Sequence, residues 1–256
     1  MPIDKFTVLG SSAGTVQPDR ACSGYLLTVG QRHTLIDCGG GVASSFRRRG
    51  FDPLDVDRIF ISHTHPDHCC ELPLFLQMIH LERREEPIDV YLPGEFVEPF
   101  RMMLAAMYIP PEKLNYEPVI RGYEDGFMYE GEFVLTAHEN GHLKHNLEFF
   151  SELGLPNRAQ CHSFHIDVGG KRIFYSADIK EFDEIRPHLE GCDYVVMETT
   201  HIDLNELIAH AETAAVGRFV ITHLSGVDEI REVNLVLQKA GVDNYVCAVD
   251  GMELPL

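Results

Sequence analysis

No stretch of this sequence approaches the roughly 18 to 20 uncharged apolar residues that a membrane-spanning helix needs. The opening Met1-Pro2-Ile3-Asp4-Lys5 also lacks a basic segment leading into an apolar one. A soluble, unprocessed chain with no membrane partner is expected. Basic residues are scarce too: 21 Lys and Arg stand against 40 Asp and Glu, and the net charge of -19 is spread along the chain. Such a surface repels polyanions and disfavours a dedicated nucleic-acid binder. The one basic run, Arg47-Arg48-Arg49, reads as the solvated end of a helix. Paired cysteines are missing as well. The seven at positions 22, 38, 69, 70, 161, 192 and 247 form no framework, which points to reduced thiols and a cytoplasmic setting. There is no repeat of fixed period, no low-complexity segment and no composition break, so residues 1–256 read as a single domain.

What is present alternates. Runs rich in β-branched and aromatic residues predict strands over 5–10, 24–29, 33–36, 58–62, 88–92, 133–137, 162–168, 172–176, 194–197 and 218–222. Helical composition covers 41–49, 72–84, 95–108, 204–215 and 228–240. The methionines in the 95–108 segment read as core filling. Strands in both halves with helices between them predict an α/β fold, a four-layered αββα sandwich of two face-to-face sheets.

The most informative segment is Ser62-His63-Thr64-His65-Pro66-Asp67-His68, which places three imidazoles and a carboxylate at the end of the apolar run Arg58-Ile59-Phe60-Ile61. At a strand end His63 and His65 project to one side, while the turn at Pro66 aims Asp67 and His68 at a second point, so two adjacent metals follow. Three more strand ends carry ligand types: His138, His142 and His145 after 133–137, Asp178 after 172–176, and His223 after 218–222. Together these give enough donors for two divalent cations with positions left open for water, which implies catalysis. A closed structural zinc would more often use cysteine pairs. His223 has a plainer reading as a helix-capping histidine.

These pieces resemble the metallo-β-lactamase superfamily and, within it, the ribonuclease Z-like branch. The resemblance is carried by Leu9-Gly10-Ser11-Ser12-Ala13-Gly14, Leu35-Ile36-Asp37-Cys38-Gly39, the His-Thr-His-Pro-Asp-His run, Tyr175-Ser176-Ala177-Asp178 and Ile221-Thr222-His223-Leu224-Ser225. It implies that His63, His65 and His142 hold one metal, that Asp67, His68 and His223 hold the other, and that Asp178 bridges them. His138 and His145 compete with His142, which is preferred because Leu143 follows it as the family pattern implies. Asp37 reads either as a carboxylate orienting a ligand histidine or as a turn former.

The implied cofactors are two divalent ions, zinc first, with manganese or iron as alternatives. The implied activity is metal-dependent hydrolysis, with Asp67 accepting a proton from the attacking water. Glu198-Thr199-Thr200-His201 offers an acid for the leaving group, with His201 the candidate, a surface histidine the competing view, and His210 a weaker alternative. Departures from the pattern concern substrate. Only 36 residues separate His142 from Asp178, and the insert 146–160 holds Phe149-Phe150, Glu148 and Glu152 in place of a basic tRNA-gripping arm. It could form a small lid. Ala177 replaces the usual glycine, and Cys69-Cys70-Glu71 stands where a small residue and glycine are common.

A small-molecule substrate, a phosphodiester or cyclic phosphate, is therefore expected, and tRNA is not. The alternatives are a lactone, thioester or β-lactam hydrolase, an iron-dependent oxidoreductase, and a nonenzymatic metal-binding module. A homodimer is compatible with the resemblance.

Overall fold

The computed structural model describes residues 4–211 and 213–256. Met1, Pro2 and Ile3, used above in reading the N-terminus, and Glu212, inside the helix expected over 204–215, lie outside the described residues. The chain divides into two compact units: one runs to Tyr123 and takes in Asp250–Leu256, and the other is Glu124–Val249.

The first unit is built on β1 (Lys5–Gly10), β2 (Gly24–Val29), β3 (Arg32–Ile36), β4 (Val56–Phe60), β5 (Ile88–Pro93) and β6 (Pro118–Tyr123), with α1 (Val42–Arg48), α2 (Pro66–Cys69), α3 (Leu72–Leu81) and α4 (Val97–Ala106) between them. The last strand of the chain, Glu253–Pro255, completes its sheet beside β1. Strands β1 to β3 form an antiparallel meander. The turn from β2 to β3 needs only Gly30 and Gln31, with Gly30 at φ +61° in the first central position, where a side chain would be strained. From β3 onward each connection carries a helix and the pairing becomes parallel. Phe46 of α1 and Phe75 of α3 meet edge to face at 5.3 Å over Leu35 and Ile59, forming the centre of this core.

The second unit holds β7 (Met128–Glu130), β8 (Val134–Glu139), β9 (His162–Val168), β10 (Lys171–Tyr175), β11 (Tyr194–Glu198), β12 (Arg218–Thr222) and β13 (Tyr245–Cys247), with α5 (Leu147–Glu152), α6 (Leu204–Ala211) and α7 (Val227–Lys239). Its design repeats that of the first: antiparallel pairing from β7 to β10, then parallel pairing to β13. Gly169 and Gly170, both at positive φ, make the two-residue hairpin between β9 and β10. Phe174, Val195, Met197, Phe219 and Ile221 form a core with Leu207 of α6 and Val233 and Leu237 of α7.

Several boundaries differ from expectation for identifiable reasons. Strand β4 spans Val56–Phe60 instead of 58–62, because Ser62 N–H is captured by the Asp37 carboxylate. Strand β8 runs on to Glu139, so His138 lies within the ladder opposite Ser163 and does not follow the strand. Of the methionines in the 95–108 segment, Met103 packs against the core, whereas Met102 and Met107 are exposed, and α4 fully buries only Phe100 and Leu104. Strand β6, which begins at Pro118, and the three-residue edge strands were not anticipated, because proline and brevity both suppress the strand signal. All seven cysteines are free thiols, and no helix among the described residues is long and apolar enough to cross a membrane.

Gly39, just after β3, shows how tightly the first unit is drawn together. A Cβ at Gly39 would land on the Asp67 carbonyl oxygen. Gly39→Ala is therefore expected to lower unfolding stability by about 1–3 kcal/mol through forced displacement of the Asp67 turn. Thermal unfolding checks this, and an unchanged midpoint would contradict it.

Candidate metal centre

In the first unit, everything is organised by Asp37. It sits at the carboxyl end of β3 in the left-handed region, φ +57°, where few non-glycine residues rest without a compensating role. Its Oδ1 accepts the Ser62 N–H at 2.7 Å, and its Oδ2 accepts the Ser62 hydroxyl at 2.8 Å and the His68 Nδ1–H at 2.8 Å. The Ser62 hydroxyl, having given its proton to Asp37, accepts from His63 Nδ1 at 3.1 Å. Both histidines are thus held with the proton on Nδ1 and the lone pair on Nε2, the tautomer a metal requires. The His63 ring lies 5.0 Å from that of His65 and 4.1 Å from that of His68. Asp67 Oδ2 stands 3.7 Å from His68 Nε2.

Local sequence explains the turn. Pro66 opens the short helix α2, and the His65 carbonyl accepts from His68 N–H. Gly14 of the glycine-rich loop brings its backbone close to the Asp67 carboxylate. The Cys69 thiol, donating to the Thr64 and His65 carbonyls, is pushed by burial up to about 12 and stays protonated.

The second unit centres on Asp178. Its Oδ2 lies 3.6 Å from His142 Nε2 and its Oδ1 lies 3.4 Å from His223 Nε2, so one carboxylate addresses two different imidazoles. All three side chains are buried. Ala177, before it, adopts φ +50°, which explains why glycine is usual at that position, and His223 itself sits at φ +59°. Of the three competing histidines, His142 faces Asp178. His145 Nδ1 instead bonds the His142 carbonyl at 2.8 Å, and His138 packs against His165 and His188. Burial and then those neighbouring imidazoles hold His138 down to about 4.

Glu198, the last residue of β11, is buried, and it accepts from the Ile179 N–H at 3.1 Å, the His201 N–H at 2.9 Å and His201 Nδ1 at 2.8 Å. The His201 ring stands 4.9 Å from that of His142 and 6.4 Å from that of His223. His210 is remote from this group, packed on Phe182.

Two supporting carboxylates were not anticipated. Asp250 accepts from Ser11 N–H, the Ser11 hydroxyl and Ala21 N–H, fixing the loop after β1. Glu184 accepts from Gly141 N–H and Lys180 N–H, tying the His142 and Asp178 loops together. Neither lies in a ligand-like sequence pattern, so no local signal marked them.

The donor sets fit divalent cations: buried imidazoles with fixed tautomers and a carboxylate that faces two of them are the groups such ions select. Residues 5–219 match the family described as Anti-Pycsar protein Apyc1. The chain belongs to the Apyc1 family. Among curated proteins, this Apyc1-family member is 24% identical to a ribonuclease Z of Methanothermobacter thermautotrophicus, over 86% of each chain. Its fold is similar to the crystal structure of the metallo-β-lactamase fold protein YhfI from Bacillus subtilis, with a TM-score of 0.76, 22% identity and coverage of 99% and 100%. It is also similar to the short form of human tRNase Z, with a TM-score of 0.74, 20% identity and coverage of 98% of each chain. The α/β metallo-β-lactamase fold and the ribonuclease Z-like kinship expected from the motifs hold. The chain is a metal-dependent hydrolase of that superfamily and binds divalent metal.

Because Asp37 fixes both His68 and, through Ser62, His63, Asp37→Ala is expected to weaken metal affinity by about 10- to 100-fold. Competition with a chromophoric chelator measures this. Affinity equal to that of the parent would remove Asp37 from this role.

Proposed function

We propose that this chain is a dinuclear, zinc-dependent phosphodiesterase acting on a small phosphodiester or cyclic phosphate, and that, like its family, it acts against Pycsar. The observation that carries the dinuclear reading is Asp178, whose two oxygens face His142 and His223 separately. On this reading His63, His65 and His142 would hold one ion, Asp67, His68 and His223 would hold the other, and Asp178 would serve both.

Such a pair of ions, when bound, supplies a water of lowered pKa and a positive charge beside the phosphoryl oxygens. The chain's residues do the rest. Asp67 is half-buried at the start of α2, and its carboxylate orients the attacking water and accepts its proton. His201 donates a proton to the departing oxygen from Nε2. Glu198 keeps the His201 Nδ1 proton in place and sets the direction of the ring. Glu198 is a positioning residue, because burial removes it from substrate.

The preference for small substrates rests on charge and length. The insert 146–160 contributes only the short helix α5, with Glu148 and Glu152 on it and an exposed Phe149. Arg158, its one arginine, is engaged by Glu124 at 2.9 Å. With a net charge of -19, the chain offers little to a polyanion the size of tRNA.

A substrate panel tests this. The zinc-loaded protein should turn over bis(p-nitrophenyl) phosphate and cyclic nucleoside monophosphates, and should leave a precursor tRNA, a lactone and a β-lactam uncleaved. Lactone or β-lactam turnover without phosphodiester turnover would overturn the substrate class. In the same assay, Asp67→Asn should lose on the order of 10²- to 10⁴-fold in kcat. His201→Ala should lose less on bis(p-nitrophenyl) phosphate, whose leaving group needs little protonation, than on a cyclic nucleotide. Equal losses on both substrates would remove His201 as the proton donor.

A further inference from the structure

A second group of imidazoles lies wholly within the second unit and takes no part in the chemistry above. His138 on β8 and His165 on β9 project from the same face of the sheet, as diagonal neighbours of the register that pairs Thr136 with His165 and His138 with Ser163. His188, from the short helical turn Arg186–His188, closes over them. The His138 and His188 rings lie 4.3 Å apart, and the His188 ring is stacked parallel to Phe174 at 5.7 Å. One nitrogen from each of the three lies within 4.8 Å of the others.

The direction of the His165 ring is informative. Its Nε2–H donates to the His188 carbonyl at 2.8 Å, so its Nδ1 carries the lone pair and accepts from His138 Nε2–H at 3.2 Å, a proton that a cation at this place would replace. A tetrahedral zinc ion with nitrogen donors at about 2.0–2.1 Å spaces them by about 3.3–3.4 Å. A backbone carbonyl on the second ring nitrogen is the usual device for presenting a ligand histidine. The Asp125 carboxylate, fixed by the Glu139 N–H at 2.9 Å, is close enough to act on the charge of His138 and His188, and would favour a cation there. Cys192 lies on the other side of the His165 ring, 3.9 Å from its Nε2, and its thiol donates to the His188 carbonyl at 3.4 Å.

We propose that His138, His165 and His188 form a separate three-histidine site for a divalent transition-metal ion, zinc or a neighbour of similar preference for imidazole, with its remaining position open to water. Its consequence is structural: the ion ties the turn Arg186–His188 to strands β8 and β9. The site stands independently of the phosphodiesterase reading.

Equilibrium dialysis of the full chain against Zn2+, followed by metal analysis, tests it beside His188→Ala and His138→Ala. Each variant is expected to hold about one equivalent fewer than the parent and to keep parental turnover of bis(p-nitrophenyl) phosphate. His188, at the half-buried turn, is the gentler substitution. Anomalous scattering at the zinc edge from crystals of the parent chain serves should a variant fail to fold. It should place an ion within bonding reach of all three nitrogens. Parental zinc content in folded variants, or no anomalous density at the three histidines, would overturn the proposal.

Discussion

The constraint on which this protein depends is the need to give buried carboxylates partners while presenting imidazole lone pairs to metal. Asp37 and Asp178 are both buried at the carboxyl ends of strands, yet they answer that need differently. Asp37 is saturated by donors: one backbone N–H, one hydroxyl and one imidazole N–H. It therefore acts as an anchor that sets tautomers. Asp178 lies at 3.6 and 3.4 Å from His142 and His223, beyond ordinary hydrogen bonding but suited to an ion on either side. On the proposed reading the first is an anchor and the second a bridge, and the left-handed backbone at Asp37, Ala177 and His223 is part of what holds both in place.

Each unit reaches this arrangement by the same architectural means. An antiparallel meander gives way to parallel strands linked by helices, and it is at the carboxyl ends of those strands that Asp37, the His63 segment, Asp178, Glu198 and His223 emerge. Rigid ladders deliver each side chain, and loops position it only over a few residues. The same logic explains supporting groups such as Tyr123, whose hydroxyl donates to the Ile61 carbonyl at 2.6 Å just before the ligand run.

Much of the site was legible because its residues announce themselves locally. His63 through His68 is contiguous, and Asp178 and His223 each end an apolar run, so strand and ligand could be read together. What escaped depends on register. Spacing does not rank His138, His142 and His145, for which only Leu143 favours His142, and it is the continuation of β8 opposite Ser163 that sets His138 apart from the other two. The meeting of His138 with His165 and His188 was invisible for the same reason, since pairing across strands brings them together from distant segments. Asp250 and Glu184 brace loops from far along the chain, without any pattern of their own. In α4, composition suggested burial, but the helical period turns Met102 and Met107 to solvent.

On the proposed reading, two cations share Asp178. Anomalous scattering from zinc-loaded crystals measures this most directly at that carboxylate. Two ions about 3.5–4 Å apart are expected, one on each oxygen, the first also bonded to His142 and the second to His223. A single ion there, or none within bonding reach of Asp178, would contradict that reading.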